Sequence, residues 1–561
     1  MPTPLLECVP NFSEGRDPAI IKQITDAIES VEGISLLDVD PGKATNRTVV
    51  TFVGAPEDVI EAAVRGGEKA AELIDMAKHT GEHPRFGAMD VCPLVPVSGI
   101  TMEETVAYAR QLGQRLGEEA GLTIYLYEHA AMSEERRNLA NVRKGEYEGL
   151  KERVSTPEWQ PDFGPAEFNA RSGATAVSAR DFLIAYNVNL NTTSTRRANA
   201  IAFDVREKGR IKREGDPLTG PIAKDENGKT VWISGSLKSV KAIGWYIEEY
   251  GIAQISMNLT NIGVTPMHVA FDEVVAKARE RGIRVTGSEL VGLIPLRAML
   301  DAGKYFLRKQ QRSTGISDRE IIKIAVKSLG LEDLTPFNPD ERIIEYAIAD
   351  PSRKRLVDMS IEAFAEETAS ESPAPGGGSV SAAVGAFGVA LGSMVANLSA
   401  HKRGWDERWE EFSDWAERGK ANQDELLRLV DQDTEAFKAV MAASGLPKGS
   451  DAEQAERIQA IQAATRGAIE IPLRVMEVAL DSMAVMKAMA EVGNPNSVSD
   501  AGVGALCARA AVRGAYLNVR INAGDLKDKV FVQDVLSRGQ KMLEQAEAQE
   551  RENLAIVNEK L

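Results

Sequence analysis

The chain has 561 residues, of which 43% are hydrophobic and 27% are charged, and its net charge is −17 at pH 7. This length exceeds what one hydrophobic core usually serves, so we expect two to four domains. The acidic balance argues against nucleic acid or an anionic membrane as a partner. The three cysteines form no CxxC pair, and no signal peptide is evident at the N-terminus, which together favour a cytoplasmic location.

The first 300 residues alternate predicted strands and helices. Strands are expected at 5–10, 34–40, 47–53, 89–97 and 123–128, and helices at 18–31, 56–78 and 103–119. This βαββαβ order predicts a ferredoxin-like sandwich. A second α/β region is expected from about Ala174, with strands at 176–190 and 253–260 and helices at 196–207 and 267–282. Residues 209–236, rich in Gly, Pro, Asp and Lys, predict a hairpin or a long loop.

From about residue 354 the pattern becomes helical, with almost no strand signal. Residues 380–398 carry no charge, but they are largely Ala, Gly and Val, which favours a buried helix over a membrane span. The predicted fold class is therefore multidomain, with two α/β (ferredoxin-like sandwich) subdomains followed by an all-α helical bundle. We expect the subdomains at 1–175 and 176–330, a linker at 331–355 and the helical domain at 356–561.

The segment HTGEHPRFG, residues 79–87, holds two of the five histidines. A histidine that titrates near neutral pH can take a proton in one step and return it in the next, so His83 is a candidate acid–base catalyst. Glu82 could orient the imidazole, and Arg85 could hold an anionic substrate or orient Glu82. Gly81 and Pro84 place these side chains on a loop, where functional residues tend to lie.

The same segment has two other interpretations. His79, Glu82 and His83 spell H-x-x-E-H, a zinc-hydrolase pattern that needs a continuous helix. Pro84 and Gly81 disfavour that helix. The remaining alternative is a polar loop whose histidines have only structural partners.

Two more polar segments are candidates for ligand contacts. Residues 10–16, PNFSEGR, offer Asn11, although a turn with a helix cap is the simpler interpretation. Residues 162–173, DFGPAEFNARSG, are expected to join the two α/β subdomains, and crevices between domains are common ligand sites. The rings of Phe163 and Phe168 could enclose a flat heterocycle, with polar contacts from backbone amides and Arg171. An ordinary linker is the alternative.

The helical half contains three candidate features. A break at 372–379, SPAPGGGS, predicts either a hinge or an anion-binding nest at a helix start, made by Gly376, Gly377, Gly378 and Ser379. Asp433 lies on or beside an apolar helical stripe, where burial would raise its pKa and suit a general acid; pairing with a cation is the alternative. Asn518 and Asn522 share one helical face, and buried amides need hydrogen-bond partners, either each other or a ligand.

Together these segments resemble a known family. ECVPNFSEGRD, HTGEHPRFGAMDVCPLVP, DFGPAEFNARSGATAVSARDFLIAYNVNL, AIGWYIEEY and GSELVGLIPL resemble glutamate formimidoyltransferase. APGGGSVSA, LVDQDTEAF and the NVRIN helix resemble formimidoyltetrahydrofolate cyclodeaminase. Both sets occur in one chain and in the order found in bifunctional formimidoyltransferase-cyclodeaminases, and the resemblance covers nearly the whole chain.

The resemblance implies two sequential reactions of histidine degradation. A formimino group would move from N-formimino-L-glutamate to N5 of tetrahydrofolate, and 5-formiminotetrahydrofolate would then close to 5,10-methenyltetrahydrofolate with release of ammonia. Tetrahydrofolate, free or polyglutamylated, would be a co-substrate, and no metal is implied. The resemblance also implies a homo-oligomer built from dimers. A zinc hydrolase and a non-catalytic folate-binding scaffold are the alternatives.

The family's functional residues carry over to positions in both halves. The resemblance assigns the transferase histidine to His83 and the cyclodeaminase carboxylate to Asp433. It assigns a further folate contact to Gly235 and the main folate loop to Gly164, Pro165, Ala166, Glu167, Phe168, Asn169, Ala170, Arg171, Ser172 and Gly173. At Arg171 and Ser172 the loop departs from the family's animal members, which carry an aromatic residue before the last glycine, and 209–236 is longer than in those members.

Overall fold

The computed structural model describes residues 4–43, 45–81, 85–216, 219–349 and 355–561. The chain forms two compact units, residues 1–299 with 329–349 and residues 300–328 with 350–561. The first unit is α/β, and the regular structure of the described residues in the second is entirely helical. The predicted fold class is confirmed.

The first α/β region is built on a mixed seven-stranded sheet. Its antiparallel core, in the order β3-β4-β1/β2-β5, has the predicted ferredoxin-like arrangement. β7 then pairs parallel with both β5 and β6, which extends the sheet. The strands are β1 (Leu5–Cys8), β2 (Asn11–Phe12), β3 (Ser35–Gly42), β4 (Arg47–Gly54), β5 (Met89–Ser98), β6 (Thr123–Glu128) and β7 (Ala174–Ala179), and the helices are α1 (Pro18–Glu29), α2 (Pro56–Leu73), α3 (Met102–Glu118), α4 (Leu139–Val142) and α5 (Glu146–Val154).

Two details of this region differ from the sequence-based expectation. α2 ends at Leu73 rather than near residue 78, because the chain becomes extended at Ile74. The segment 162–173 does not join the two α/β subdomains. Because β7 pairs within the first sheet, this segment lies inside the first region, and the backbone N–H of Met76 donates to the Arg171 carbonyl over 2.8 Å.

The second α/β region has the complete ferredoxin-like topology. Its four long strands are antiparallel in the order β11-β12-β8-β13, and the predicted hairpin at 209–236 contains the short pair β9–β10. The sequence pattern missed β11 and β13. The elements are β8 (Ile184–Leu190), α6 (Thr195–Val205), β9 (Arg210–Ile211), β10 (Trp232–Ile233), β11 (Val240–Ile247), β12 (Ile252–Leu259), α7 (Met267–Arg279) and β13 (Val285–Val291).

The chain between the two halves is more structured than a linker. α8 (Leu296–Lys309) and α9 (Asp318–Leu329) are followed by the short helices α10 (Pro339–Arg342) and α11 (Ile344–Ala347). The N–H of Ile294 donates to the Arg342 carbonyl over 3.0 Å, which ties 339–347 into the first unit. The described part of 331–355 is therefore packed.

The helical unit is a bundle of long helices around α13, the predicted small-residue helix. A Cβ on Gly388 of α13 would lie 2.9 Å from the Gly504 carbonyl oxygen of α16, so small residues permit this close approach. α13 is long and apolar enough to cross a membrane, but 61% of its most apolar window is buried in the protein, as expected for a core helix. The helices are α12 (Ile361–Ala369), α13 (Gly377–Ala400), α14 (Trp409–Ser444), α15 (Asp451–Val492), α16 (Val498–Ala523) and α17 (Lys529–Lys560).

Candidate active sites

The segment that carries His83 is anchored on both sides. His83 and Glu82 themselves lie outside the described residues. On the preceding side, Nε2–H of His79 donates to the Asn46 carbonyl over 2.8 Å, and Asn46 Nδ2 donates to the Thr80 carbonyl over 3.0 Å. Residues 79–81 are not helical, so the continuous helix required by the H-x-x-E-H zinc pattern is not formed there.

Arg85 anchors the other side through its guanidinium, the group that the sequence predicted to bind an anionic substrate. Its guanidinium donates to the carbonyls of Met76 and His79 and pairs with Glu148. It also lies over the Tyr147 ring, with 5.1 Å from Cζ to the ring centre. In the structure the Arg85 guanidinium is bonded to protein groups, and the expectation that it holds a substrate carboxylate or orients Glu82 stays a prediction.

Asn11 belongs to a buried cluster of charged residues that the sequence did not reveal. Its Oδ1 accepts from Arg47, and its Nδ2 donates to the Val9 carbonyl over 2.8 Å. Arg47 and Arg143 both face Asp90, whose side chain is 2% exposed. Burial lowers the pKa of Arg47, while Asp90 opposes that shift. Asp90 thus brings the guanidinium groups of Arg47 and Arg143 together.

The folate loop predicted at 164–173 is held mainly by its own polar side chains. Asn169 Oδ1 accepts from the N–H groups of Arg171 and Ser172 over 3.0 and 3.1 Å. The Arg171 guanidinium donates to the carbonyls of Ala71 and Glu72 at the end of α2. Arg171 therefore caps a helix, where a cation is favourable. Its side chain is exposed, and the expected contact with ligand stays a prediction.

The two phenylalanines of this loop do not enclose a common space. Phe163 packs with the core beneath α3, whereas Phe168 packs against Tyr147 with ring centres 5.5 Å apart. Gly164 and Gly173 have φ of +78° and +64°, which favours glycine at both turns. The surface that the loop offers to a ligand comes from its exposed residues Gly164, Pro165, Ala166, Glu167, Ala170 and Arg171.

Gly235 contacts the end of α6 rather than the 164–173 loop. Its N–H donates to the Glu207 carbonyl over 3.4 Å, and a Cβ there would lie 2.1 Å from the Arg206 carbonyl oxygen. Glycine is therefore required by the close approach of the chain to the end of α6.

A cavity of about 760 Å³ in the first unit was not anticipated from the sequence. Its wall runs through residues 143–146, directly before Tyr147, whose N–H donates to the Arg85 carbonyl over 2.9 Å. Basic side chains outnumber acidic ones in its lining: His129, Arg143, Lys144, Arg180 and Lys241 against Glu128, Glu146 and Asp181. These residues come from four separate segments, so no local motif could have grouped them.

In the helical unit, by contrast, the predicted residues converge on one cavity of about 440 Å³. Four segments of the helical unit meet there, within 373–378, 433–440, 465–468 and 518–525. The lining includes Gly376, Gly377, Gly378, Asp433, Thr434, Phe437, Thr465, Asn518, Asn522 and Asp525. The structure thus brings together three features that the sequence offered only separately: the glycine-rich helix start, Asp433 and the two asparagines.

Asp433 sits against that helix start. A Cβ on Gly378 would lie 2.1 Å from Asp433 Oδ1, so only glycine lets the carboxyl approach. The hydroxyl of Ser379 donates to Asp433 Oδ2 over 3.1 Å, and the Ser379 backbone N–H also bonds this carboxyl. Burial raises the pKa of Asp433, as the apolar stripe predicted, while both Ser379 bonds act to lower it.

These contacts revise two sequence-based assignments. The hydroxyl and the backbone N–H of Ser379 both bond Asp433, so this residue already has a protein partner, whereas an anion-binding nest at Gly376, Gly377 and Gly378 stays a prediction. Asn518 Nδ2 donates to the Gly514 carbonyl and Asn522 Nδ2 to the Ala468 carbonyl, over 3.0 and 2.8 Å. The two amides are thus oriented by helix carbonyls rather than by each other.

Comparison with known proteins covers both halves of the chain. Family models described as "Formiminotransferase domain, N-terminal subdomain", "Formiminotransferase domain" and "Formiminotransferase-cyclodeaminase" match residues 5–180, 185–349 and 360–541. The formimidoyltransferase-cyclodeaminase of Gallus gallus is 44% identical over 543 residues, covering 97% of this chain and 96% of that protein.

Shorter relatives match each half separately. The glutamate formimidoyltransferase of Thermoplasma acidophilum is 43% identical over 324 residues, which is 57% of this chain and 98% of that protein. The methenyltetrahydrofolate cyclohydrolase of Methylorubrum extorquens is 40% identical over 189 residues, which is 34% of this chain and 91% of that protein. With the match to the Gallus gallus protein along nearly its whole length, the chain belongs to the formimidoyltransferase-cyclodeaminase family.

Proposed function

We propose that this chain carries out two consecutive folate reactions at two separate sites. The α/β unit transfers the formimino group of N-formimino-L-glutamate to N5 of tetrahydrofolate. The helical unit then closes 5-formiminotetrahydrofolate to 5,10-methenyltetrahydrofolate and releases ammonia. The observation that best supports two sites is that the helical unit holds its own cavity with the buried carboxyl Asp433.

In the transferase reaction, the N5 amine attacks the formimino carbon and the glutamate nitrogen departs. His83 accepts the proton from N5 and returns it to the departing nitrogen, since one imidazole can perform both transfers in turn. In the sequence His83 precedes Arg85 by two residues, and the Arg85 carbonyl accepts from the N–H of Tyr147, which directly follows the cavity-lining residues 143–146. This sequence neighbourhood supports the role.

The basic cavity is suited to the two carboxylates of formiminoglutamate. Arg143 reaches it from the buried Asp90 cluster, and Arg180 and Lys241 add positive charge from other segments. Charge-assisted hydrogen bonds to carboxylates are among the stronger polar contacts in proteins. The exposed part of the 164–173 loop and the segment at Gly235 would contact the folate.

In the cyclodeaminase reaction, N10 attacks the same carbon and the amine leaves as ammonia. Asp433 accepts the N10 proton and then delivers it to the departing amine. A carboxyl whose pKa is raised by burial is better matched to both transfers near neutral pH than an exposed one. Asn518 and Asn522 lie on the facing helix, where their amides would orient the folate.

The proposed function also includes the co-substrate, the location and the oligomeric state of the protein. Tetrahydrofolate, free or polyglutamylated, acts as a co-substrate in the cytoplasm, and neither step calls for a metal. We also propose a homo-oligomer built from dimers through the helical unit. Exposed apolar side chains on α13 and α16 support such a contact, among them Phe387, Leu398, Leu517 and Ile521.

A second activity of the helical cavity is favoured by one comparison. The match to a methenyltetrahydrofolate cyclohydrolase spans 91% of that enzyme. Adding water to the methenyl carbon is chemically close to expelling ammonia from it. In the first reaction water bonds to this carbon and loses a proton, and in the second the amine gains a proton and leaves the same carbon. We expect the protein to hydrate 5,10-methenyltetrahydrofolate slowly, seen as loss of its absorbance above the rate in buffer. A rate equal to that in buffer would contradict this second activity.

The proposed function is tested with purified protein, N-formimino-L-glutamate and tetrahydrofolate. Absorbance of methenyltetrahydrofolate and release of ammonia should rise together in a one-to-one ratio. Neither product would form if the protein were a zinc hydrolase or a folate-binding scaffold.

Substituting Gly378 tests whether the helix start positions Asp433. We expect Gly378→Ala to lower cyclodeaminase turnover about 100-fold, because the added Cβ displaces the carboxyl and small misplacements are costly in catalysis. Transferase turnover should be unchanged. Gly467→Ala is the matched control, since a Cβ there meets open space and alanine stabilises a helix by up to about 1 kcal/mol. Equal losses in both variants would contradict the positioning role.

A further inference from the structure

The hydroxyl of Ser379 has more hydrogen-bond acceptors around it than it has protons. Its oxygen lies 2.9 Å from the Val430 carbonyl oxygen, 3.1 Å from Asp433 Oδ2 and 3.2 Å from the Thr434 hydroxyl oxygen. The side chain is fully buried, so water does not compete for these bonds. A hydroxyl carries one proton and can accept further bonds, so its donor bond can go to only one acceptor at a time.

This arrangement satisfies Asp433 in both of its protonation states. When the carboxyl is ionised, the Ser379 hydroxyl donates to it. When the carboxyl is protonated, its own O–H donates to the Ser379 oxygen, and the Ser379 proton turns to the Val430 carbonyl. Neither state leaves a buried polar group without a partner, which would otherwise be unfavourable.

We propose that Ser379 is a positioning residue for cyclodeamination, whose hydroxyl turns between Val430 and Asp433 as the carboxyl gains and loses its proton. This inference rests on the proposed function of the helical cavity.

The proton balance of the reaction requires the Asp433 carboxyl to be ionised and then protonated once in each turnover. The substrate enters with its formimino group as an amidinium cation and Asp433 ionised. As the bond from N10 to carbon forms, the N10 proton passes to Asp433. As the bond from carbon to the amine breaks, that proton passes to the amine, which leaves as neutral ammonia. The positive charge stays on the methenyl product, and Asp433 ends ionised.

Few groups around Asp433 other than Ser379 influence the pKa of its carboxyl. α13, α14, α15 and α16 all contribute to the cavity, and among the described residues of its lining Asp525 is the only other ionisable group. Burial raises the pKa of Asp433, and the two bonds from Ser379 are the interactions that lower it. Removing the hydroxyl should therefore raise that pKa further.

Ser379→Ala tests this through the pH profile of cyclodeaminase activity on 5-formiminotetrahydrofolate. We expect kcat to fall at least about tenfold, with KM within about twofold of wild type. The acid limb of kcat/KM should move to higher pH, because activity is lost as Asp433 becomes protonated and its pKa is now higher. Ser381→Ala is the matched control on α13, since its hydroxyl donates to the Gly377 carbonyl over 2.6 Å. It should leave the limb in place.

Ser379→Thr separates positioning from folding. It keeps the hydroxyl, so its acid limb should coincide with that of wild type even if the extra methyl lowers kcat. The role of Ser379 would be overturned if the acid limb of Ser379→Ala lay at the wild-type pH. It would also be overturned if the acid limb moved as far in Ser379→Thr as in Ser379→Ala. Absence of cyclodeaminase activity in the wild-type protein would instead overturn the proposed function.

Discussion

Replacing Asp433 with asparagine should stop the second reaction and leave the first intact. We expect Asp433→Asn to lower cyclodeaminase turnover about 10²–10⁴-fold, the range typical of losing a general acid–base group. The amide is nearly isosteric with the carboxyl and fits the space beside Gly378, but it cannot carry the N10 proton to the departing amine. With formiminoglutamate and tetrahydrofolate supplied, 5-formiminotetrahydrofolate should accumulate while ammonia does not appear.

Asp431 provides the control, because it lies two residues away on α14 and its pKa is also raised by burial. Its carboxyl accepts from the Leu356 N–H over 2.6 Å and is absent from the cavity lining. Asp431→Asn should keep cyclodeaminase turnover within about threefold of wild type, as expected of a residue without a transition-state role. Comparable losses in the two variants would remove Asp433 from the mechanism.

His83→Ala should have the opposite effect. We expect transferase turnover to fall about 10²–10⁴-fold, because the N5 proton loses its acceptor and the departing glutamate nitrogen loses its donor. Cyclodeaminase turnover on supplied 5-formiminotetrahydrofolate should remain at the wild-type rate. Both rates can be followed separately, the first by loss of formiminoglutamate and the second by release of ammonia.

His79→Ala distinguishes this role from a structural or metal-binding one. His79 bonds the Asn46 carbonyl, so its loss should loosen the loop and reduce transferase turnover less than loss of His83. Turnover in wild type that is abolished by a chelator and restored by zinc would contradict the acid–base role and favour the zinc alternative.

The sequence predicted most of the fold because hydrophobic periodicity is local information. Helices such as α1 and α3 were placed within two residues, and the small-residue pattern identified α13 as a buried helix. β11 and β13 were missed. β11 exposes Ile243 and Trp245, which hides the usual alternation, and β13 is interrupted by Gly287 and polar residues. β7 was assigned to the wrong region, since strand pairing depends on contacts distant in sequence.

The candidate sites were predictable only in part, for the same reason. Asp433 was identified because its place beside an apolar stripe implied burial, and the structure shows the raised pKa that follows. The partners of Arg85 and Arg171 could not be predicted, because their carbonyl acceptors lie on other segments that the fold brings near. The Asp90 cluster likewise depends on how β4, β5 and the segment around Arg143 meet.

Mixing two variants that each lack one activity, His83→Ala and Asp433→Asn, tests most directly whether one chain holds two independent sites. His83→Ala alone should make neither product, and Asp433→Asn alone should stop at 5-formiminotetrahydrofolate. Combined in one reaction with formiminoglutamate and tetrahydrofolate, the two proteins should restore methenyltetrahydrofolate and ammonia in a one-to-one ratio, since each supplies the site that the other lacks. A mixture of folded variants that forms neither product would show that His83 and Asp433 do not serve separate reactions.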